Sequence, residues 1–432
     1  MRIAQSVVAA SFLLLCSCEG NEVARAASKL MGTCSSFTSQ SETASQPDQD
    51  QFRATTDGPL ELEVARRIYL PNNATGNSPP VISPDGANYL TYNAIAGLWT
   101  NCITSSDDAK NPVERVTLAG FGYADTIPFG WADDSTSILG ARQKTTNPSG
   151  FALGPMAPVE ISVDGQVRDL PKLTHAAGNL DSLLWVGGQG LALALFGAKG
   201  GYYQPEVENP APTIAIVNGR EGKVLQSALI PASTKIKGTP AILDIDARLD
   251  LDGNIFALMV LPGEADRSRW MVWHQGEQLR ATALDVPRKG WMPFAVSPDM
   301  KTALIMHNLS ATGIVCEIWS RQNCPPPTPA IGTIAELREV NSGRVLWSIS
   351  GTAKTFQRTL KPAISDDGKL ALIALPSEGS TLSVALISMQ DGRVIQRLDE
   401  LPNVIQGLGF RDKDRSVWLS GLNLLATYKL DR

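Results

Sequence analysis

Ala363–Pro376 reads AISDDGKLALIALP, two short apolar runs joined by an acidic-Gly turn. The pattern predicts a hairpin of half-buried strands. Asp suits the turn because its carboxylate can accept from the backbone just ahead of it, and Gly because the closing position needs a positive φ. The plan recurs at Val81–Ala94 (VISPDGANYLTYNA) and Ala295–Asn308 (AVSPDMKTALIMHN), each with an apolar pair, a Ser, a turn and then alternating apolar residues. Copies spaced at roughly 40 to 65 residues predict an array of small sheets, each one blade of a β-propeller.

More degenerate copies fill the spaces between. Gly130-Trp131-Ala132-Asp133-Asp134 opens the second unit, which VEISVDGQVRDL completes, and its turn has lost the Gly. LLWVGGQGLALALF, ending at Phe196, opens the third, and LDLDGNIFALMVL, from Leu249 to Leu261, the fourth. The closing halves of the later units, ELREVNSGRVLWSI and VALISMQDGRVIQRL, share a second turn in which a Gly precedes a basic residue and Val. The last copy, LGFRDKDRSVWL, is followed only by NLLATYKLDR, one strand short of a four-stranded sheet. LELEVARRIYL, from Leu60 to Leu70, is one strand too many before the first copy. Pairing the surplus strand onto the deficient sheet removes both anomalies and covers two exposed sheet edges. The expected fold is therefore all-β, a single seven-bladed propeller closed by an N-terminal strand.

Composition agrees with many short strands and turns: 37 Gly and 28 Pro, with 43% apolar and only 19% charged residues. The formal charge of -5 includes no basic block, so nucleic acid is not an expected partner.

The first 17 residues read as a signal peptide, with Arg2 as a positive start and Val7–Leu15 as an apolar core too short for a permanent span. Leu15-Cys16-Ser17-Cys18 resembles the bacterial lipobox, which implies lipidation of Cys18 and a membrane-anchored lipoprotein facing the periplasm. Ala24-Arg25-Ala26 is a rival site for ordinary cleavage. Residues 18–57 read as a flexible linker, since Ser35–Gln51 is too polar to bury, and residues 58–432 as the propeller. In an exported chain the remaining cysteines can form bridges. Cys316 with Cys324 would close a small loop, leaving Cys34 with Cys102; the alternative is four free, buried thiols.

Ser83-Pro84-Asp85-Gly86, Ser297-Pro298-Asp299 and Ser365-Asp366-Asp367-Gly368 resemble the Ser-Pro-Asp-Gly signature of TolB-like (WD40-like) propellers, which is shared with the propeller domains of prolyl oligopeptidase-type peptidases. The resemblance implies a fold and not an activity. A peptidase would need a Gly-x-Ser-x-Gly elbow, and the sequence contains none.

Other chemistry is weakly signalled. His175, His274 and His307 are the only histidines, and none has a second ligand at metal spacing, so no metal, cofactor or catalytic set is assigned. Asp133-Asp134, Asp250 with Asp252, and Asp366-Asp367 fall in expected turns, where Asp is favoured for turn-making alone. Trp99, Trp185, Trp273, Trp347 and Trp418 lie in strand patterns and are expected between blades. Trp319 and Arg321, inside the Cys316–Cys324 loop, and His307 at its approach mark the insertion 308–333 as either a recognition surface or a decorated edge. Two functions follow as expectations. One is a non-catalytic scaffold in the cell envelope, binding a protein, peptide or envelope polymer, with membrane contact only through its lipid. The other is an enzyme with its site in the funnel, or the propeller partner of a separately encoded serine peptidase.

Overall fold

The computed structural model describes the strands between 54 and 118 by their backbone, and the chain from 130 to 430 apart from connections, the longest being 144–155, 198–211, 232–241 and 310–328. Cys18, Cys34, Cys316, Cys324, Trp319 and Arg321 lie outside the described residues. So does the side chain of Cys102, whose backbone falls in a strand.

The described elements are all β-strands. Ala54–Thr56 (β1) and Leu62–Tyr69 (β2) come first. The first sheet is Val81–Ile82 (β3), Asn88–Ile95 (β4), Leu98–Ser105 (β5) and Val113–Leu118 (β6). The second is Gly130–Trp131 (β7), Ser137–Gln143 (β8), Met156–Ser162 (β9) and Val167–Asp169 (β10). Leu180–Trp185 (β11), Leu191–Phe196 (β12), Thr213–Asn218 (β13) and Lys223–Leu229 (β14) make the third. The fourth comprises Asp244–Leu249 (β15), Ile255–Pro262 (β16), Ser268–His274 (β17) and Arg280–Ala281 (β18). In the fifth are Phe294–Val296 (β19), Thr302–Met306 (β20), Ala330–Glu339 (β21) and Val345–Ala353 (β22). The sixth has Ala363–Ile364 (β23), Leu370–Pro376 (β24), Leu382–Ser388 (β25) and Val394–Leu401 (β26). Ile405–Arg411 (β27), Ser416–Gly421 (β28) and Leu424–Leu430 (β29) begin the seventh.

Every sheet is an antiparallel meander with its strands in chain order, and β2 completes the seventh by pairing with β29. β1 adds a fifth strand to the sixth sheet by pairing with β26, Ala54 opposite Leu398 and Thr56 opposite Gln396. This corrects the linker bound: residues 54–56 are a strand, although Ala-Thr-Thr is too short and too polar to stand out as one.

The central strands explain how the sheets cohere. In β16, Phe256, Leu258 and Val260 pack toward the fifth sheet, while Ile255, Ala257, Met259 and Leu261 pack toward the third. β24 repeats this, with Leu370, Leu372 and Ala374 in the core shared with the seventh sheet and Ala371, Ile373 and Leu375 in the core shared with the fifth. A strand covered on both faces has no use for polar alternation, hence the unbroken apolar runs. The second and third sheets share a further core around Leu139, Leu183, Trp185 and Phe196. At the junction of the fourth and fifth, Trp270 meets Phe294 edge-on at 4.9 Å between ring centroids. Each fully buried Leu, Ile or Phe contributes about 1.5–3 kcal/mol, so these interfaces supply the main cohesion between sheets.

The repeated Ser-x-Asp turn is a closed hydrogen-bond unit. In the sixth sheet Ser365 Oγ lies 2.8 Å from Asp367 Oδ1 and accepts from Leu370 N at 2.9 Å, while Gly368 takes φ 70°. In the fifth, Ser297 Oγ lies 2.6 Å from Asp299 Oδ1 and accepts from Thr302 N at 3.0 Å. Met300 there holds φ 61°, the one non-Gly residue with positive φ among those described. Its side chain packs against the core between the fourth and fifth sheets, which offsets the strain.

Candidate functional site

The first strand of the fourth sheet carries charge on one face. Asp244, Asp246 and Arg248 alternate along β15, while Ile245, Ala247 and Leu249 on the other face pack toward the third sheet. Asp246 is buried and gathers contacts from two further sheets. Val296 N of β19 donates to its Oδ2 at 2.8 Å, and Lys361 Nζ, from the approach to β23, lies 2.7 Å from its Oδ1. Arg248 Nε stands 3.9 Å from the same carboxylate.

Asp244 has no such company. Among the described residues its Oδ1 accepts from the adjacent Ile245 N, at 2.8 Å, and its Oδ2 is closed off from solvent without a hydrogen-bond partner. Burial pushes its carboxyl up to about 6; the Lys361 charge and the Ile245 amide pull the other way, and the Asp246 charge adds to the rise. Beside an ion pair, the cluster therefore offers a carboxyl that changes charge near neutral pH and an oxygen able to accept a proton or a hydrogen bond.

The remaining buried charges are paired within or between sheets. Glu160 of β9 accepts from Ser137 Oγ at 2.8 Å and from Arg220 of the third sheet at 2.9 Å, and also binds Arg168. Although burial pushes Glu160 up, these partners outweigh it and hold the carboxylate below its ordinary range.

The three histidines stand apart. His175 stacks on Phe196 with ring centroids 5.2 Å apart and accepts at Nδ1 from Ala177 N. His274 lies between Asp250 at 2.8 Å and Glu277 at 3.5 Å, and the Asp250 hydrogen bond, opposed by burial, raises its pKa. His307 follows β20 and sits 3.0 Å from Glu336 Oε1, which Arg338 Nε approaches to 2.8 Å. Among the described residues no group of three or more His, Cys, Asp or Glu is arranged to hold a metal ion.

The acidic pairs hold turns. Asp134 accepts from Thr136 N at 3.0 Å, Asp250 from Asp252 N and Asn254 N at 2.9 and 2.7 Å, and Asp367 from Lys369 N at 3.0 Å. Asp133 goes further: it accepts from Gly188 N of the next sheet's turn at 2.8 Å, so this turn residue also joins two sheets. Trp185 and Trp273 are buried in cores between sheets, and Trp347 packs at the edge of another.

A second candidate surface is apolar and exposed. Ile331, 81% exposed, stands at the start of β21, where the chain leaves the 310–328 connection. It pairs with Thr352 of β22, the strand that carries exposed Val345 and Leu346. Of the large apolar residues exposed in the described parts, only Leu225 and Leu229, on β14, lie elsewhere.

Sequence reasoning singled out the fifth-sheet insertion and missed the Asp244–Asp246–Lys361 cluster. The available signal was ILDIDARL, where charge falls on every second residue of an otherwise apolar strand. No protein-family model matches the chain, and no curated protein matches it.

Proposed function

We propose that this chain is an exported, lipid-anchored seven-bladed β-propeller of TolB-like type that acts as a non-catalytic interaction scaffold in the cell envelope, with its contact surface on the fifth sheet. Supporting the ring are the seven meanders in chain order, the shared cores of successive sheets from the second to the seventh, and the β2–β29 pairing, which ties an N-terminal strand to the last sheet. One observation carries the scaffold reading: three of the five large apolar side chains exposed in the described parts lie on the fifth sheet, Ile331 at the foot of its long connection and Val345 and Leu346 at the other end of β22. Such residues favour burial against another surface.

A photoreactive amino acid placed at 331 or 346 in the living cell should give a discrete cross-linked adduct. The same probe at exposed Lys172, outside this surface, should give none. Equal, diffuse labelling at all three positions would remove the contact surface.

Asp244 favours a second reading, a small polar ligand held in the channel, because its buried Oδ2 has no hydrogen-bond partner among the described residues and lies near Lys361 and Asp246. Amines, sugars and short peptides that raise the melting temperature of the wild type and not of Asp244→Asn would favour it.

A further inference from the structure

Three polar side-chain atoms are shut away from solvent at the junction of the fourth and fifth sheets with no hydrogen-bond partner among the described residues: Asp244 Oδ2, Ser268 Oγ and Trp270 Nε1. Strand register puts them on one face. Asp244 of β15 is opposite Val260 of β16, Val260 is opposite Trp270 of β17, and Ser268 stands two residues before Trp270. Directly opposed residues, and residues two apart on one strand, share a face of the sheet. That face looks onto the fifth sheet. Val260 and Trp270 share a core with Phe294 of β19, and Asp246, two residues along from Asp244, accepts from Val296 N of the same strand.

Buried polar atoms are nearly always paired, and each one left unpaired costs free energy. Three of complementary kinds on one face point to a bound guest. Trp270 Nε1 can only donate, an ionised Asp244 can only accept, and Ser268 Oγ can do either. Asp246 is already satisfied by Val296 N and Lys361, so the open acceptor is Asp244. These roles select the guest. An ammonium would serve Asp244 and leave Trp270 without an acceptor, whereas a carboxylate would serve Trp270 and meet the charge of Asp244. A hydroxyl donates and accepts through one oxygen and serves both. The Cα atoms of Asp244 and Trp270 are two strand spacings apart, about 10 Å, and those of Ser268 and Trp270 about 7 Å, a spread that suits several hydroxyls on one small frame. Val260, Leu284 and Phe294 belong to the same core, and the Phe294 ring meets Trp270 edge-on, so the carbon skeleton of such a guest has apolar neighbours. Ser268 and Trp270 are 7% and 1% exposed, but Asp244 as a whole is only half-buried, so the junction reaches solvent on its β15 side.

From this arrangement we infer that the junction of the fourth and fifth sheets binds a small neutral polyol or sugar, whose hydroxyls donate to Asp244 Oδ2 and accept from Trp270 Nε1 and Ser268 Oγ. The inference rests on the second reading above, a small polar ligand beside Asp244, and adds its chemical class and two further residues.

The test applies saturation-transfer NMR to the full chain purified in detergent, with glycerol, D-glucose and myo-inositol as probes. D-glucosamine and D-glucuronate serve as the cationic and anionic relatives of glucose. At least one neutral probe should receive saturation from the wild type, and glucosamine and glucuronate should bind more weakly than glucose. Asp244→Leu should weaken that binding about tenfold or more, and Ser268→Ala and Trp270→Phe about threefold or more, as expected for hydrogen bonds to a charged and to a neutral group. Ser268→Ala removes an unpaired group and should melt no lower than the wild type, so its loss of binding is not a loss of fold. No transfer to any neutral probe, with water alone on the three atoms in a crystal soaked with them, would overturn the inference. So would binding indifferent to all three variants. Glucosamine or glucuronate binding that needs Asp244 and ignores Ser268→Ala and Trp270→Phe would overturn the polyol site and leave the second reading standing. If, besides, no amine, sugar or short peptide distinguished the wild type from Asp244→Asn in melting, both would fall.

Discussion

Lys361 Nζ lies 2.7 Å from Asp246 Oδ1, so a residue leading into the sixth sheet is tied to the first strand of the fourth, while Val296 N of the fifth donates to the same carboxylate. One buried anion thus fastens three consecutive sheets at their first strands. Removing a partner from a fully buried ion pair costs about 3–5 kcal/mol. The Lys361 side chain is 46% exposed, so solvent screens part of the attraction. Lys361→Met should therefore destabilise by about 1–3 kcal/mol at neutral pH. In a double-mutant cycle with Asp246→Asn, the combined loss should be smaller than the sum of the single losses. Strict additivity in denaturant unfolding would mean that the contact carries no energy.

Asp244 predicts a pH dependence of definite sign. Its carboxyl rises from 3.8 to about 6 in the folded chain, because burial opposes ionisation. A raised pKa means that the folded state favours the protonated form. The associated stability is fully present below pH 3.8 and is lost as pH climbs through about 6. Asp244→Asn keeps the neutral shape without the titration. At pH 7.5 it should be more stable than the wild type by up to about 3 kcal/mol, and near pH 4 the two should converge. Urea titrations at both pH values decide this, and a variant less stable at pH 7.5 would show that the ionised form is wanted there.

What was legible in the sequence is what local chemistry determines alone. The Ser-x-Asp turns announced themselves because Ser365, Asp367 and Gly368 each have a backbone task inside a span of six residues. The apolar runs of β16 and β24 likewise stated that both faces are covered. Lys361 and Asp246 were not legible as a pair, because their meeting depends on how three sheets stack and neither stands in a turn. β1 was missed for a different reason. Ala-Thr-Thr has little strand character of its own and is extended because β26 supplies an edge to pair with.

Two turn glycines separate backbone strain from crowding. Gly368 has φ +70°, and an added Cβ would meet Pro298 Cδ at an ordinary 3.5 Å. Gly368→Ala should cost about 1 kcal/mol, the penalty for an L-residue in that conformation. Gly392 has φ +74°, and its Cβ would come within 2.8 Å of the Trp347 ring on the neighbouring sheet. That ring is itself held by a 2.8 Å hydrogen bond from Nε1 to Met389 O, so it cannot swing away freely. Gly392→Ala should accordingly cost about 2–4 kcal/mol, strain and overpacking together. The difference should appear as a larger drop in melting temperature, with tryptophan fluorescence altered in Gly392→Ala alone. Equal costs would mean that Trp347 moves aside without effort.

His307 was a candidate for recognition, and its surroundings predict a structural part. Its Nε2 lies 3.0 Å from Glu336, a carboxylate of β21 that Arg338 also approaches. Burial pushes Glu336 up, but His307 and Arg338 outweigh it and hold the carboxyl below 4.5. A depressed pKa contributes stability that is present above pH 4.5 and lost as pH falls, so Glu336→Gln should flatten part of the acid limb of the stability curve. His307→Ala should destabilise by about 1–2 kcal/mol, because Arg338 remains to neutralise the buried charge. Arg338→Met should cost more, since it removes contacts to both carboxylate oxygens of Glu336. Neither substitution touches the outer edge, so cross-linking through position 331 should persist in both. If His307→Ala abolished the adduct while melting like the wild type, His307 would belong to the contact surface and not to the frame behind it.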